Sequence, residues 1–316
     1  MAREKNKFKP PKLSWKQDAR RNWPVYAMYL PAFIMTVVLS YIPMFGIIMA
    51  FEDYEVRKGF FGSKWVGLQH FQTLFTGEEF LGALRNTVCI MVIKCTLGFV
   101  APILFAFFLS MLKSKRYKRT VQTCSYLPNF VAAVVVTSLL TEFLAKDGPL
   151  TMLLTKLGAE NQNWLANDRI PVFWLIYVLM GIWQGMGWGS IMYVASIATV
   201  SGDLHEAAAI DGATRLQRMT KITLPCIMPM IVMMFVLNVG LSFSTGYDSI
   251  LLLYMPSTYN VADTVYTYTY RMAFGGGGNN YGLSAASGLF QSIVATVLLV
   301  GSNTLNRRFG DGNSLF

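Results

Sequence analysis

Long apolar runs separated by short polar segments dominate this chain. Six of them, residues 26–51, 86–112, 121–144, 171–200, 226–252 and 287–305, are long enough to cross a bilayer, since a helix needs about 20 apolar residues to span the hydrocarbon core. The pattern predicts an all-α integral membrane protein with six transmembrane helices. Lys94 interrupts the second run, and Gln291 and Ser292 interrupt the last; polar residues in such places face other helices or a water-filled path, not lipid. Between the first two runs, GLQHFQTLF and EEFLGALRNT carry apolar residues at helical spacing and predict short helices at the outer surface. In the segment 254–286, Tyr266, Tyr268 and Tyr270 fit either a short extended stretch or an interfacial aromatic belt. Five parts follow: a basic segment 1–25, the first span, an outer loop 52–85, a core of five spans over 86–306 with a loop at 201–225, and a tail 307–316.

Composition agrees with the pattern. The chain is 53% hydrophobic and 14% charged, with a mean hydropathy of +0.41, above the range of soluble domains. Its positive charges are placed unevenly. Arg3, Lys5, Lys7, Lys9, Lys12, Lys16, Arg20 and Arg21 precede the first span; Lys113, Lys115, Arg116, Lys118 and Arg119 lie between the second and third. Arg215, Arg218 and Lys221 follow in the 201–225 loop, and Arg307 and Arg308 after the last span. The positive-inside bias puts all four segments, and so both termini, in the cytoplasm. The net charge of +10 is then a matter of topology and calls for no nucleic-acid partner. The first apolar run is too long for the core of a cleaved signal and stays as an anchor.

The loop between the fourth and fifth spans, EAAAIDGATRLQRMTKITLP at 206–225, is the most informative segment. It reads E-A-A, three residues, Gly, nine residues, I-x-L-P. Asp203 is the expected N-cap, with Glu206 three residues on able to reach back to the cap amide. Ala207, Ala208 and Ala209 favour helix and let another backbone come close. Gly212 suits the left-handed turn that ends a helix, and Pro225 suits the start of the next. Two short helices meeting at Gly212 make a knob that can dock into a partner. The alternative is an ordinary interhelical loop, which a lone E-A-A would favour and the full pattern disfavours.

Other chemistry is absent. Cys89, Cys95, Cys124 and Cys226 lie in or beside spans with no C-x-x-C spacing and read as packing residues. His70 and His205 stand alone, so neither a metal site nor a histidine-based catalytic set is indicated. No G-x-x-x-x-G-K-[ST] occurs; Gly62, Ser63, Lys64 lacks the first glycine, and the glycines at 275–278 lack the G-K-[ST] ending. Any ATP must be used by another polypeptide. The chain reads as no enzyme.

The 206–225 stretch resembles the signature of the permease subunits of ATP-binding-cassette importers, where this loop forms the coupling helix that sits in a groove of the ATPase. YKRTVQTCSYLPNF at 117–130, IWQGMGWGSIMYVASIATVSGDLHEAAAIDGA at 182–213, TVYTYTYRM and the Asn-Ser-Leu-Phe segment resemble the sugar-importing branch, in particular permeases for oligosaccharides and polysaccharide fragments. The resemblance covers nearly everything from Leu68 onward. It implies a type I importer built from a second, related permease, two ATPase subunits that bind ATP and magnesium, and an extracytoplasmic solute-binding protein, with no cofactor in this chain. Carried over by position, Glu206, Ala207, Ala208, Gly212, Ile222, Leu224 and Pro225 form the ATPase contact, with Asp211 and Arg215 beside them.

The residues that meet the sugar are expected near the midplane. Counting along the spans puts Trp183, Gln184, Trp188 and Asn238 there, with Ser242, Ser244, Tyr247 and Asp248 continuing outward. Amides bond hydroxyls, and indoles stack on the C–H face of a pyranose. The same residues equally suit interhelical hydrogen bonds and tight packing around Gly185, Gly187 and Gly189. Lys94 suits attraction of an acidic sugar or pairing with the partner permease. Two alternatives stay open: an importer permease for a non-sugar solute, and an ion-coupled secondary transporter, although the span interiors hold almost none of the acidic residues that ion coupling uses.

Overall fold

The computed structural model describes residues 14–167, 169, 172–243, 248–275 and 280–309. Two units divide the chain at residue 48. The first holds a short helix, Trp15–Arg21, and most of the first span, Trp23–Phe51. No residue of Trp23–Tyr41 is buried, and Trp23, Met28, Tyr29, Phe33 and Leu39 are broadly exposed. A helix apolar on every side suits lipid.

Among the described residues of the second unit, four unbroken helices are long and apolar enough to cross a membrane: Glu78–Met111, Val172–Ala198, Arg215–Ser242 and Tyr281–Thr304. A further pair, Lys115–Phe130 and Ala133–Leu144, passes the same test only jointly and is bent by 94°. The expected continuous third span over 121–144 is therefore broken. Pro128 ends the first half, and Val131 and Ala132 are extended between the halves.

The second span begins before the apolar run at 86 because EEFLGALRNT joins it in one helix. The last also begins early, where Asn280 Oδ1 accepts the Leu283 amide at 2.9 Å and caps its first turn. The fifth ends at Ser242, short of the predicted 252, and a separate helix occupies Asp248–Leu253. TVYTYTY is not extended: it lies in the helix Val265–Phe274, with Thr264 capping the Thr267 amide. Among the described residues the strands are limited to Glu52–Asp53 paired antiparallel with Lys64–Trp65.

Prolines shape three of the spans. A π-turn covers Val37–Tyr41, Lys94–Gly98 and Met219–Thr223, and each contains the residue four before a proline: Leu39 before Pro43, Gly98 before Pro102, Lys221 before Pro225. Proline has no amide hydrogen and its ring clashes with that carbonyl. One widened turn relieves both problems without ending the helix. Pro225 accordingly does not open a span, as expected from its sequence position, but lies inside the helix that begins at Arg215.

Packing is tightest along the fourth span. Phe173, Trp174, Tyr177 and Val178 form one core with Ile90, Val136 and Val261, and Tyr193 closes a second with Ile103 and Ala106. Gly187 faces Ser125 so closely that a Cβ there would overlap the Ser125 carbonyl. Buried side chains stitch the 254–275 segment to the spans. Asn86 donates to the carbonyls of Asn260 (3.0 Å) and Asp263 (2.9 Å), Thr87 accepts the Val265 amide (2.9 Å), and Trp174 donates to Val261 O (2.7 Å).

Gly187→Ala should lower the thermal midpoint of the purified transporter, since a Cβ forced against backbone costs about 1–3 kcal/mol. Gly181→Ala, with open space at its Cβ, should leave the midpoint nearly unchanged in the same assay.

Candidate functional site

The 201–225 loop folds into a small knob. Its helix, Gly202–Ile210, buries no residue, so local chemistry must hold it. Ser201, not Asp203, is the N-cap: its Oγ accepts the Asp203 amide at 3.2 Å, leaving Asp203 as the acidic residue of the first turn. At the other end Gly212 has φ +78°. The Ala213 amide reaches Ala208 O (2.9 Å) and the Gly212 amide reaches Ala209 O (3.1 Å), a complete Schellman motif. Thr214 then caps the fifth span through a reciprocal pair with Gln217, accepting its amide at 3.3 Å while donating its own to Gln217 Oε1 at 2.8 Å. The capping box expected at Asp203 and Glu206 is thus found one helix later, where the partner is the longer glutamine.

Glu206, Ala207 and Asp211 are exposed on the knob and Ala208 is half-buried. Apolar side chains stand beside them: Ile210 is 87% exposed, Leu216 65% and Leu204 49%. Ile222 and Leu224 are half-buried along the fifth span, one inside the π-turn and one just after it, and Pro225 is exposed. Arg215 opens that span. Arg218 Nη1 donates to His205 O (3.3 Å), and Thr223 Oγ1 lies 3.4 Å from His205 Nε2. These contacts hold the knob helix to the span that follows.

A second feature lies between the second, fourth and fifth spans, a cavity of about 360 Å³ lined by Lys94, Tyr177, Gln184, Asn238 and Ser249 among others. Gly181 and Gly185, one turn apart on the fourth span, also line it, and no atom lies within 4 Å of where a Cβ would stand on either, so their missing side chains give the cavity depth. Gln184 Nε2 is held by Val131 O at 3.0 Å. Asn238 Oδ1 accepts from Ser242 Oγ (3.2 Å) and Cys95 Sγ (3.5 Å). Lys94 is the only charged side chain among the described lining residues.

Of the residues expected along the sugar path, the structure brings Gln184 and Asn238 together. Ser242 is buried behind Asn238. Trp183 instead lines an apolar groove of about 470 Å³ with Leu139, Phe143 and Leu179, and Trp188 packs edge-on against Phe130 at 5.5 Å. Asp248 accepts from Tyr266 OH at 3.0 Å, and Ser244 and Tyr247 lie outside the described residues. Tyr177 and Ser249 were not singled out from the sequence, because one sits in an apolar run and the other outside any motif.

A third polar cluster surrounds Arg271, which pairs with Asp263 and, at 3.3 Å, with Glu79, and stacks over Tyr259 (4.8 Å). Burial pushes the Asp263 carboxyl above its ordinary range, against the Thr267 hydroxyl and the Arg271 guanidinium, which favour the charged form. The cluster fixes the Val265–Phe274 helix against the start of the second span.

Residues 98–311 match the family described as binding-protein-dependent transport system inner membrane component, and the chain belongs to that family. It is a multi-pass membrane component of a transport system. It is 38% identical, over 91% of its length and 88% of the relative's, to the polygalacturonan/rhamnogalacturonan transport system permease protein YteP of Bacillus subtilis (strain 168). It also resembles a chain of a bacterial alginate ABC transporter in complex with an alginate pentasaccharide-bound periplasmic protein, with a TM-score of 0.84, 37% identity, and coverage of 94% of this chain and 98% of that one. A bacterial ABC transporter involved in the import of the acidic polysaccharide alginate gives a TM-score of 0.85 at 37% identity, over 94% of this chain and 99% of that one.

Gly212→Ala should destabilise the end of the knob helix by about 1–2 kcal/mol, the cost of the left-handed conformation with a Cβ. Amides of 202–213 should then exchange faster with deuterium, while those of the fourth span stay unchanged.

Proposed function

We propose that this chain is one of two permeases in an ATP-driven, binding-protein-dependent importer of acidic oligosaccharides. The observation that carries the substrate class is the cavity that brings a cation, Lys94, together with two amides, Gln184 and Asn238. A lysine at such depth is costly to keep away from water and so marks a functional path. Its ammonium suits the carboxylate of a uronic acid, and the two amides suit the hydroxyls beside it. The acidic polysaccharides named for the similar transporters point the same way. The second permease supplies the facing wall, and the solute-binding protein delivers the sugar.

The knob receives the work. In this reading both termini and the knob are cytoplasmic, as the Lys and Arg distribution indicates. Glu206 to Gly212, with exposed Ile210 among them and exposed Leu204 and Leu216 on either side, enter a groove of the ATPase, which alone binds ATP and magnesium. An exposed apolar set of this kind on a small, doubly capped helix is what a partner covers. Arg215, Ile222, Leu224 and Pro225 continue into the fifth span. The helix is unbroken from Arg215 to Ser242, so a displacement of the knob reaches Asn238 in the cavity through one rigid element.

Vesicles holding both permeases should take up oligosaccharide only with the ATPase subunits, the binding protein and ATP; uptake driven by an ion gradient alone would overturn the importer. Glu206→Lys and Gly212→Asp should each abolish uptake although all subunits are made, and normal uptake by either stably expressed protein would sink the coupling role. Lys94→Met should cut uptake of uronic-acid oligosaccharides by roughly tenfold to a hundredfold, the loss of a hydrogen bond to a charged group worth about 1.5–3 kcal/mol. Neutral oligosaccharides of equal length should be spared.

A further inference from the structure

A cavity of about 370 Å³ lies where three spans end, and neither the knob surface nor the Lys94 cavity accounts for it. Met111 ends the second span, Ile197 is next to last in the fourth, and Arg215 opens the fifth; all three line the cavity. It therefore sits at the depth where hydrocarbon gives way to phospholipid headgroups. Lys113, Arg215 and Arg218 supply its charge. Among the described lining residues there is no Asp or Glu, and none of the three cations joins a salt bridge among the described residues.

Arg218 gives the cavity its direction. One end of its guanidinium is held by His205 O at 3.3 Å, while the buried Nε has no hydrogen-bond partner. A buried charged donor left in that state is costly, and an anion entering the cavity removes the cost. Guanidinium groups match the spacing of phosphate oxygens, and the lysine adds a point charge beside them.

We propose that this cavity binds a phosphate group, carried in the membrane by an anionic phospholipid headgroup. Basic pockets between spans take such headgroups. The bound phosphate would tie together the segment after the second span, the knob helix through His205, and the first turn of the fifth span. Lipid composition would then set how firmly the knob is held to the spans, independently of which solute is carried.

The test uses the complete transporter in phosphatidylcholine nanodiscs, with hydrogen–deuterium exchange read over 202–223. One arm adds graded phosphatidylglycerol; the other adds inorganic phosphate to neutral nanodiscs; chloride at matched ionic strength is the reference for both. Exchange should slow by about tenfold once the probe reaches about ten times its Kd. Slowing in the lipid arm alone identifies a headgroup site, and slowing in both arms a site for phosphate from either source. Slowing by free phosphate alone would overturn the lipid assignment. The combined Arg218→Gln and Lys113→Gln variant should lose the effect, and Arg218→Lys should keep part of it. No slowing beyond chloride in either arm, or full slowing in the neutralised variant, overturns the site. If the neutralised variant fails to assemble with the ATPases, the comparison with chloride in the unaltered protein decides alone.

Discussion

In hydrocarbon every backbone amide and carbonyl must be paired within the protein, because no water reaches it and an orphan costs several kcal/mol. That constraint makes the spans helical, and it also governs where their prolines are tolerated. Pro43, Pro102 and Pro225 each follow a π-turn that absorbs the missing donor, so three spans keep their length despite a residue that ordinarily ends one. The third span instead turns through 94° just after Pro128. Its break leaves extended backbone at Val131, whose carbonyl is taken up by Gln184. An amide expected to meet substrate thus also has a structural task, satisfying backbone that the broken helix cannot.

Continuity and close approach divide the labour between the spans. The fifth span joins the knob to Asn238 in one helix, since the π-turn at Met219–Thr223 lets Pro225 sit inside it. On the fourth span the glycines are not interchangeable. Gly187 admits the Ser125 backbone and Gly189 the Pro102 ring, whereas Gly181 and Gly185 open onto the Lys94 cavity. Backbone contact on one face and free space on the other allow a single helix to be both the packing centre and a wall of the cavity.

The knob shows how a helix without buried residues persists. Ser201 and the Schellman turn at Gly212 pair its terminal groups, and the Arg218 and Thr223 contacts to His205 hold it to the next span. Nothing covers Leu204 or Ile210 from within the described residues. Stability by caps leaves the apolar side chains of such a helix free to stay exposed.

Apolar run length determined that the chain is built of membrane-spanning helices and roughly where they lie, and the E-A-A to I-x-L-P spacing determined the knob and its turn at Gly212, because bilayer thickness and left-handed backbone are constraints that act on consecutive residues. The Tyr266 to Tyr270 alternation misled for the complementary reason. A period of two in a short segment carries little weight once Thr264 and Thr267 cap a helix and Asp263, Arg271 and Glu79 anchor it. Trp183 and Trp188 have the chemistry of sugar-stacking residues, but the rotation of the fourth span turns one to an apolar groove and the other to Phe130. Meanwhile Lys94, Tyr177, Gln184 and Asn238 meet across three spans. Which side chains share a cavity depends on helix rotation and on contacts between residues far apart in the chain, and only the tertiary structure decides those.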